Sequence, residues 1–191
     1  MIVSIGTEVY LALAKGPLTT NEVSGMPFPG HILIIAIAHA PLSTASESSE
    51  MDEYQQKLSD FFSERDCHAV IWEICHSEGV HAHRQVVAVP KSKVLEEEFI
   101  KGFADKKMTL EKREPGKSEE YFRVVLPSGT YIATLPERFD LQLPRRILAN
   151  VLGVEERMDW RSCIQTEEEE KADASAFRNA FEGATVVQTQ E

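Results

Sequence analysis

The chain has 191 residues, 42% of them hydrophobic, which suits one large or two small domains with a buried core. A formal net charge of −11 argues against a general nucleic-acid binder. No run approaches the ~18 apolar residues of a membrane-spanning helix, and the N-terminus lacks the basic-then-apolar layout of a secretory signal.

The charge is uneven. Residues 1–90 hold 4 basic against 11 acidic side chains and residues 166–191 hold 2 against 7. Residues 91–165 hold 14 against 13, so a local phosphate-binding patch fits best there. The three scattered cysteines, Cys67, Cys75 and Cys163, give no disulfide framework and point to a reducing compartment.

In chain order, Ile2 to Ile5 and Val9 to Ala14 read as two strands joined by a turn near Gly6. Opening on an apolar strand suggests a piece of a longer protein. Asn21 to Gly30, with two Gly and two Pro, reads as a loop. Ile32 to Ala38 is apolar on both faces, the mark of a central strand, and ends at His39-Ala40-Pro41. Ser49 with Asp52 resembles a helix cap, and Glu50, Asp52 and Glu53 suit a helix N-terminus. Tyr54, Leu58, Phe61 and Phe62 then form one apolar helix face.

Ala69 to Ile74 is another strand, in which Trp72 reads as a core residue. Ser77-Glu78-Gly79 turns it into a strand beginning at His81, giving a hairpin. Lys91 to Lys107 reads as helical. Tyr121 to Leu126 and Thr130 to Leu135 flank Pro127-Ser128-Gly129 as a second hairpin. Pro144, the apolar Ile147, Leu148, Val151 and Leu152, and Gly153 spell helix start, face and stop. A last helix starts near Thr166, with Glu169 in capping position and Ala176, Phe177, Ala180 and Phe181 on one face.

The strand His81-Ala82-His83-Arg84-Gln85-Val86-Val87, closed by Pro90, places His81, His83 and Gln85 on one face and Arg84 on the other. Three readings fit this row. It can be the polar face of a half-solvated strand. It can be a metal site completed by Cys75 or His76, although no second ligand pair at metal-binding spacing accompanies it. It can also hold a histidine nucleophile flanked by groups that fix its tautomer and bind a phosphate.

Several stretches together resemble the CwfJ-domain family. They are Val9 to Leu18, Gly30 to Ile35 with His39, Trp72-Glu73, and His81 to Pro90. Further along come Tyr121 to Val124, Leu141 to Ala149, Asp159 to Cys163, and Ala176 to Arg178. The resemblance covers nearly the whole chain. It implies an α+β fold: a histidine-triad (HIT)-like, mainly antiparallel sheet with flanking helices over residues 1–90, truncated at its N-terminus. A smaller α+β second CwfJ domain over residues 91–191 packs on it. The paired cysteines that usually open the CwfJ region are missing, so the resemblance implies a C-terminal piece or a shortened gene product.

In a histidine triad the middle histidine is the nucleophile, a position matched here by His83. His81 matches the flanking histidine, and Gln85 replaces the third, as in the nucleotidylyltransferase branch. Lys15 stands where many such enzymes carry an acidic ribose ligand, which favours a phosphate contact over a diol clamp. The resemblance thus implies His83, His81 and Gln85 as catalytic groups if the protein is active. His31, His39, Lys15 and Arg84 are the implied ligand contacts, joined by Lys91 and Lys93, with no metal and no cofactor.

The expected function is an RNA- and protein-binding module of a splicing-associated factor, linked to lariat intron debranching and turnover or to late spliceosome complexes. Its implied partners are branched or intron RNA and the lariat debranching enzyme or spliceosomal proteins, with no membrane. The implied location is the nucleus, extending to the cytoplasm. The alternative is a HIT-type nucleotidyl hydrolase or transferase working through a His83 phosphoryl intermediate.

Overall fold

A computed structural model describes residues 1–38, 49–76, 83–116 and 119–187. Its frame is a seven-stranded antiparallel sheet in the order β1-β2-β3-β5-β4-β6-β7. The strands are β1 (Ile2–Ile5), β2 (Val9–Leu13), β3 (His31–Ala36), β4 (Cys67–Cys75), β5 (His83–Pro90), β6 (Tyr121–Leu126) and β7 (Gly129–Thr134). Among the described residues there are five α-helices: α1 (Asn21–Ser24), α2 (Ser49–Ser63), α3 (Leu95–Ala104), α4 (Leu143–Leu152) and α5 (Glu167–Val187). This is an α+β fold. None of these helices is long and apolar enough to cross a membrane.

The central strands β3, β4 and β5 read apolar because both of their faces are covered. On one face, α2 and α5 pack Met51, Leu58, Phe61, Phe62, Phe177 and Phe181 against Ile32, Ile34, Ile71 and Val86. Phe61 lies at the middle of this layer, its ring 5.2 Å from Phe181 and 5.5 Å from Phe177. Burying a side chain of this size stabilises the fold by about 1.5–3 kcal/mol. On the other face, α3 and α4 bring Leu95, Phe99, Phe103, Ile147 and Leu148 onto Val70, Trp72, Val87, Val89 and Phe122. A Cβ on Gly102 would run into Ile147, so the missing side chain is what lets α3 and α4 close on each other.

Both expected hairpins are present, β4 with β5 and β6 with β7. The expected core placement of Trp72 holds, at 2% exposure. Thr166 and Glu169 form the reciprocal capping box at the start of α5. Three local expectations change. Residues 21–30 include a single helical turn, α1, stopped by Gly25 in the left-handed region. The helix expected over 91–107 is shorter, Leu95–Ala104. The acidic first turn of α2 makes tertiary contacts: Glu50 accepts hydrogen bonds from the backbone N–H groups of Thr7, Glu8 and Val9, and Asp52 pairs with Arg84. Those backbone donors, Thr7 foremost, hold the Glu50 carboxyl below its ordinary pKa.

Candidate functional site

The site is set by one strand pairing. β3 and β5 run antiparallel with His31 opposite Val87, Leu33 opposite Gln85 and Ile35 opposite His83. Alternate residues share a face, so His31, Gln85 and His83 all point towards the α3–α4 side. Gln85 stands diagonally from His31, within reach of a long side chain. His31 Nε2 and Gln85 Oε1 lie 3.2 Å apart.

The partners of His31 fix its chemistry. The Leu18 backbone N–H donates to Nδ1 at 3.2 Å, so that nitrogen carries no proton. The neutral ring then holds its hydrogen on Nε2 and donates it to Gln85. Burial pushes the His31 pKa down to about 3, and the charge of Arg145 lowers it further, against a smaller opposing effect of the Gln85 hydrogen bond. His31 is only 2% exposed and its ring centroid sits 5.9 Å from that of Trp72. It is a neutral structural donor.

A carboxamide carries its oxygen and its NH2 on opposite sides. With its oxygen on His31, Gln85 turns two N–H donors the other way, and among the described residues these have no partner. Gln85 and His83 are both half-buried. Strand geometry separates them by roughly 7 Å, the span of one phosphoryl group and its contacts.

Behind His31 the chain turns at Gly16-Pro17-Leu18, and two arginines from after residue 140 hold that turn. Arg145 of α4 donates to the Gly16 carbonyl at 3.1 Å and to the Arg157 carbonyl at 2.9 Å, with Cys163 Sγ 3.5 Å away. Arg157 donates to the Pro17 carbonyl at 2.7 Å and to Leu18 at 3.1 Å. Gly16 has φ 83°, and a Cβ there would strike the Trp160 carbonyl. Gly16→Ala is therefore expected to cost about 1–2 kcal/mol in urea unfolding, from the left-handed backbone before any clash is counted.

The other residues singled out from the sequence are distributed as follows. Lys15 is exposed at the start of the same turn. His81 and His39 fall outside the described residues. The structure gives Arg84 other partners than a ligand: it lies on the opposite sheet face, 2% exposed. Its Nε donates to Glu73 at 2.8 Å and its Nη1 to Asp52 at 2.6 Å and Gln55 at 3.1 Å. Lys91 and Lys93 follow the far end of β5, roughly 25 Å from His83 at strand spacing, and reach the carbonyls of Ser63 and Leu152. Among the described residues no group of three His, Cys, Asp or Glu side chains could hold a metal ion.

Sequence reasoning missed Arg145 and Arg157. One signal existed: Arg145 precedes Leu148, Ala149 and Leu152 at helical spacing and so belongs to the buried face of its helix.

Residues 1–101 match the family described as "Protein similar to CwfJ C-terminal", and residues 83–183 match "Protein similar to CwfJ C-terminus 2". The chain belongs to the CwfJ C-terminal family. Among its relatives it is 43% identical to CWF19-like protein mug161 of Schizosaccharomyces pombe, over 95% of this chain and 35% of that protein. It is 30% identical to CWF19-like protein DRN1 of Saccharomyces cerevisiae, over 95% of this chain and 43% of that one. Human CWF19-like protein 1 is 31% identical over 95% and 35%. The chain thus spans well under half the length of these curated relatives.

Proposed function

We propose that this CwfJ-family chain is the RNA- and protein-binding module of a splicing-associated nuclear factor, whose HIT-like site holds a phosphate of intron RNA. The observation that carries this reading is the Gln85 carboxamide, its oxygen tied to His31 and its NH2 left to donate beside His83. Lys15, exposed at the adjoining turn, supplies a mobile positive charge, and the buried Arg145 and Arg157 lie behind it. The family resemblance supports branched or intron RNA as the ligand, with lariat debranching enzyme or spliceosomal proteins as partners.

Affinity for single-stranded RNA is expected to fall with salt at a slope of about −1.4 on a log–log plot, as two neutralised phosphates release counterions. Gln85→Glu replaces two donors by a negative charge and is expected to weaken binding at least ~10-fold at every salt concentration. Titrations of branched and linear RNA at two salt concentrations read both effects. A folded protein that binds neither RNA at low salt overturns the proposal.

A second reading, nucleotidyl hydrolysis or transfer through His83, is favoured by the half-buried His83 on the same face as Gln85. It requires an acid-labile adduct from capped or dinucleoside polyphosphate substrates that disappears in His83→Ala.

A further inference from the structure

We infer that Arg157 is a positioning residue that decides which end of the Gln85 carboxamide faces a ligand, acting through one peptide bond and His31. The Pro17 carbonyl and the Leu18 N–H belong to a single planar, trans peptide unit, so they point in opposite directions. Arg157 grips the oxygen end: Nη2 donates to Pro17 at 2.7 Å and Nε at 3.2 Å. The hydrogen end is thereby aimed at His31 Nδ1.

The consequences run along the chain of bonds. A donor at Nδ1 forces the proton of the neutral ring onto Nε2, and a proton on Nε2 forces Gln85 to present its oxygen to His31. The Gln85 NH2 then faces away from His31. With the peptide turned over, the opposite tautomer becomes available, the carboxamide flips, and Gln85 offers an oxygen where a phosphate needs a donor. A guanidinium on the carbonyl also polarises the peptide and strengthens its N–H as a donor.

Two independent features keep this peptide from turning. The Leu18 carbonyl is bound by the same guanidinium at 3.1 Å, and Gly16 is held by Arg145 on one side and by close approach to Trp160 on the other. Three successive carbonyls, Gly16, Pro17 and Leu18, thus accept from two arginines. Arg157 and Arg145 lie after residue 101, in the part matched only by the second family description. They act on a site whose visible groups all precede that residue.

The role at a phosphate site rests on the function proposed above, but its physical core does not. Long-range 15N correlation spectra of the full chain report the His31 tautomer with no ligand present. The intact protein is expected to show the Nε2–H form. Arg157→Ala is expected to shift the tautomer ratio about fivefold towards Nδ1–H, the equivalent of one hydrogen bond, with the amide spectrum of the sheet unchanged. Arg157→Lys, which keeps one donor, is expected to recover part of the shift, and it is the variant to read if Arg157→Ala does not fold. Arg146→Ala serves as the control, because Arg146 pairs at the surface with Asp140.

Affinity for a single-stranded RNA oligonucleotide is measured on the same samples. A shifted tautomer with weakened RNA binding supports both the positioning role and the phosphate site. A shifted tautomer with unchanged binding supports the positioning role and removes the phosphate site. An unshifted tautomer in a folded variant overturns the positioning role, whatever happens to the RNA.

Discussion

Glu73→Ala is expected to destabilise the protein by about 3–5 kcal/mol, measured by urea unfolding, because it leaves a buried guanidinium without its main counter-charge. Glu73 sits in β4 between β5 and β6 and is 2% exposed. One carboxylate oxygen accepts from Arg84 Nε at 2.8 Å and the other from the Tyr121 hydroxyl at 3.2 Å. After the substitution, Arg84 keeps Asp52, whose side chain is 62% exposed, and Gln55. Neither balances a charge held at 3% side-chain exposure. The paired change Glu73→Leu with Arg84→Met removes both charges and is expected to recover most of the loss, as apolar replacement of buried pairs does elsewhere. Arg84→Ala alone should act on RNA binding only by lowering the folded fraction, leaving the salt slope of the remaining folded protein intact. A cost below about 1 kcal/mol for Glu73→Ala would mean that the pair is solvated.

Acid is expected to weaken the fold through His31. Its pKa is ordinarily 6.5 and stands at about 3 in the folded protein, so between those values the unfolded chain binds a proton that the native one refuses. Stability therefore rises with pH across this window: it is fully present above pH 6.5 and drains away as pH falls towards 3. The loss relative to pH 7 is about 2 kcal/mol by pH 5 and about 3 kcal/mol by pH 4. His68, lowered chiefly by burial, adds the same sign. Glu119, held at about 2 first by its hydrogen bond with Arg113, loses its contribution only at lower pH. Urea midpoints between pH 7 and 5 isolate the histidines. His31→Gln is expected to flatten most of that slope, and a slope unchanged in His31→Gln would assign the acid sensitivity elsewhere.

Much of the fold was legible in the sequence because it is written in local patterns. The apolar Ala69–Ile74 run, the turn at Pro127-Ser128-Gly129, the Pro144-to-Gly153 helix and the Thr166–Glu169 box each depend on residues close in sequence. Sheet order does not. The insertion of β5 between β3 and β4, and the pairing of β4 with β6, bring together segments about fifty residues apart that share no local signal. The same division runs through the site. Period-two alternation put His83 and Gln85 on one face, but it could not say that His31 would sit diagonally across from Gln85. Nor could it say that Arg84, pointing to the other face, would meet Glu73 rather than solvent. Both outcomes depend on strand register, which is set by the packed faces of the whole sheet. Arg157 was hidden for a simpler reason: its partners are backbone carbonyls, which carry no residue code.

The pairing of β4 with β6 bears on how this stretch of polypeptide is inherited and broken. A chain ending soon after Pro90 would retain β1 to β5 but strip the neighbour from Ile71–Cys75, turning an interior strand into an open margin of unpaired N–H and C=O groups. That margin, Cys-His-Ala-Val-Ile-Trp-Glu-Ile-Cys, is rich in β-formers and has a single carboxylate, the composition of a segment that recruits further copies of itself. Prematurely terminated or nicked products are thus destined for aggregation rather than for partial function. Selection against such products ties the two family segments together, and their overlap over residues 83–101, which takes in β5, is where that tie is visible in the sequence.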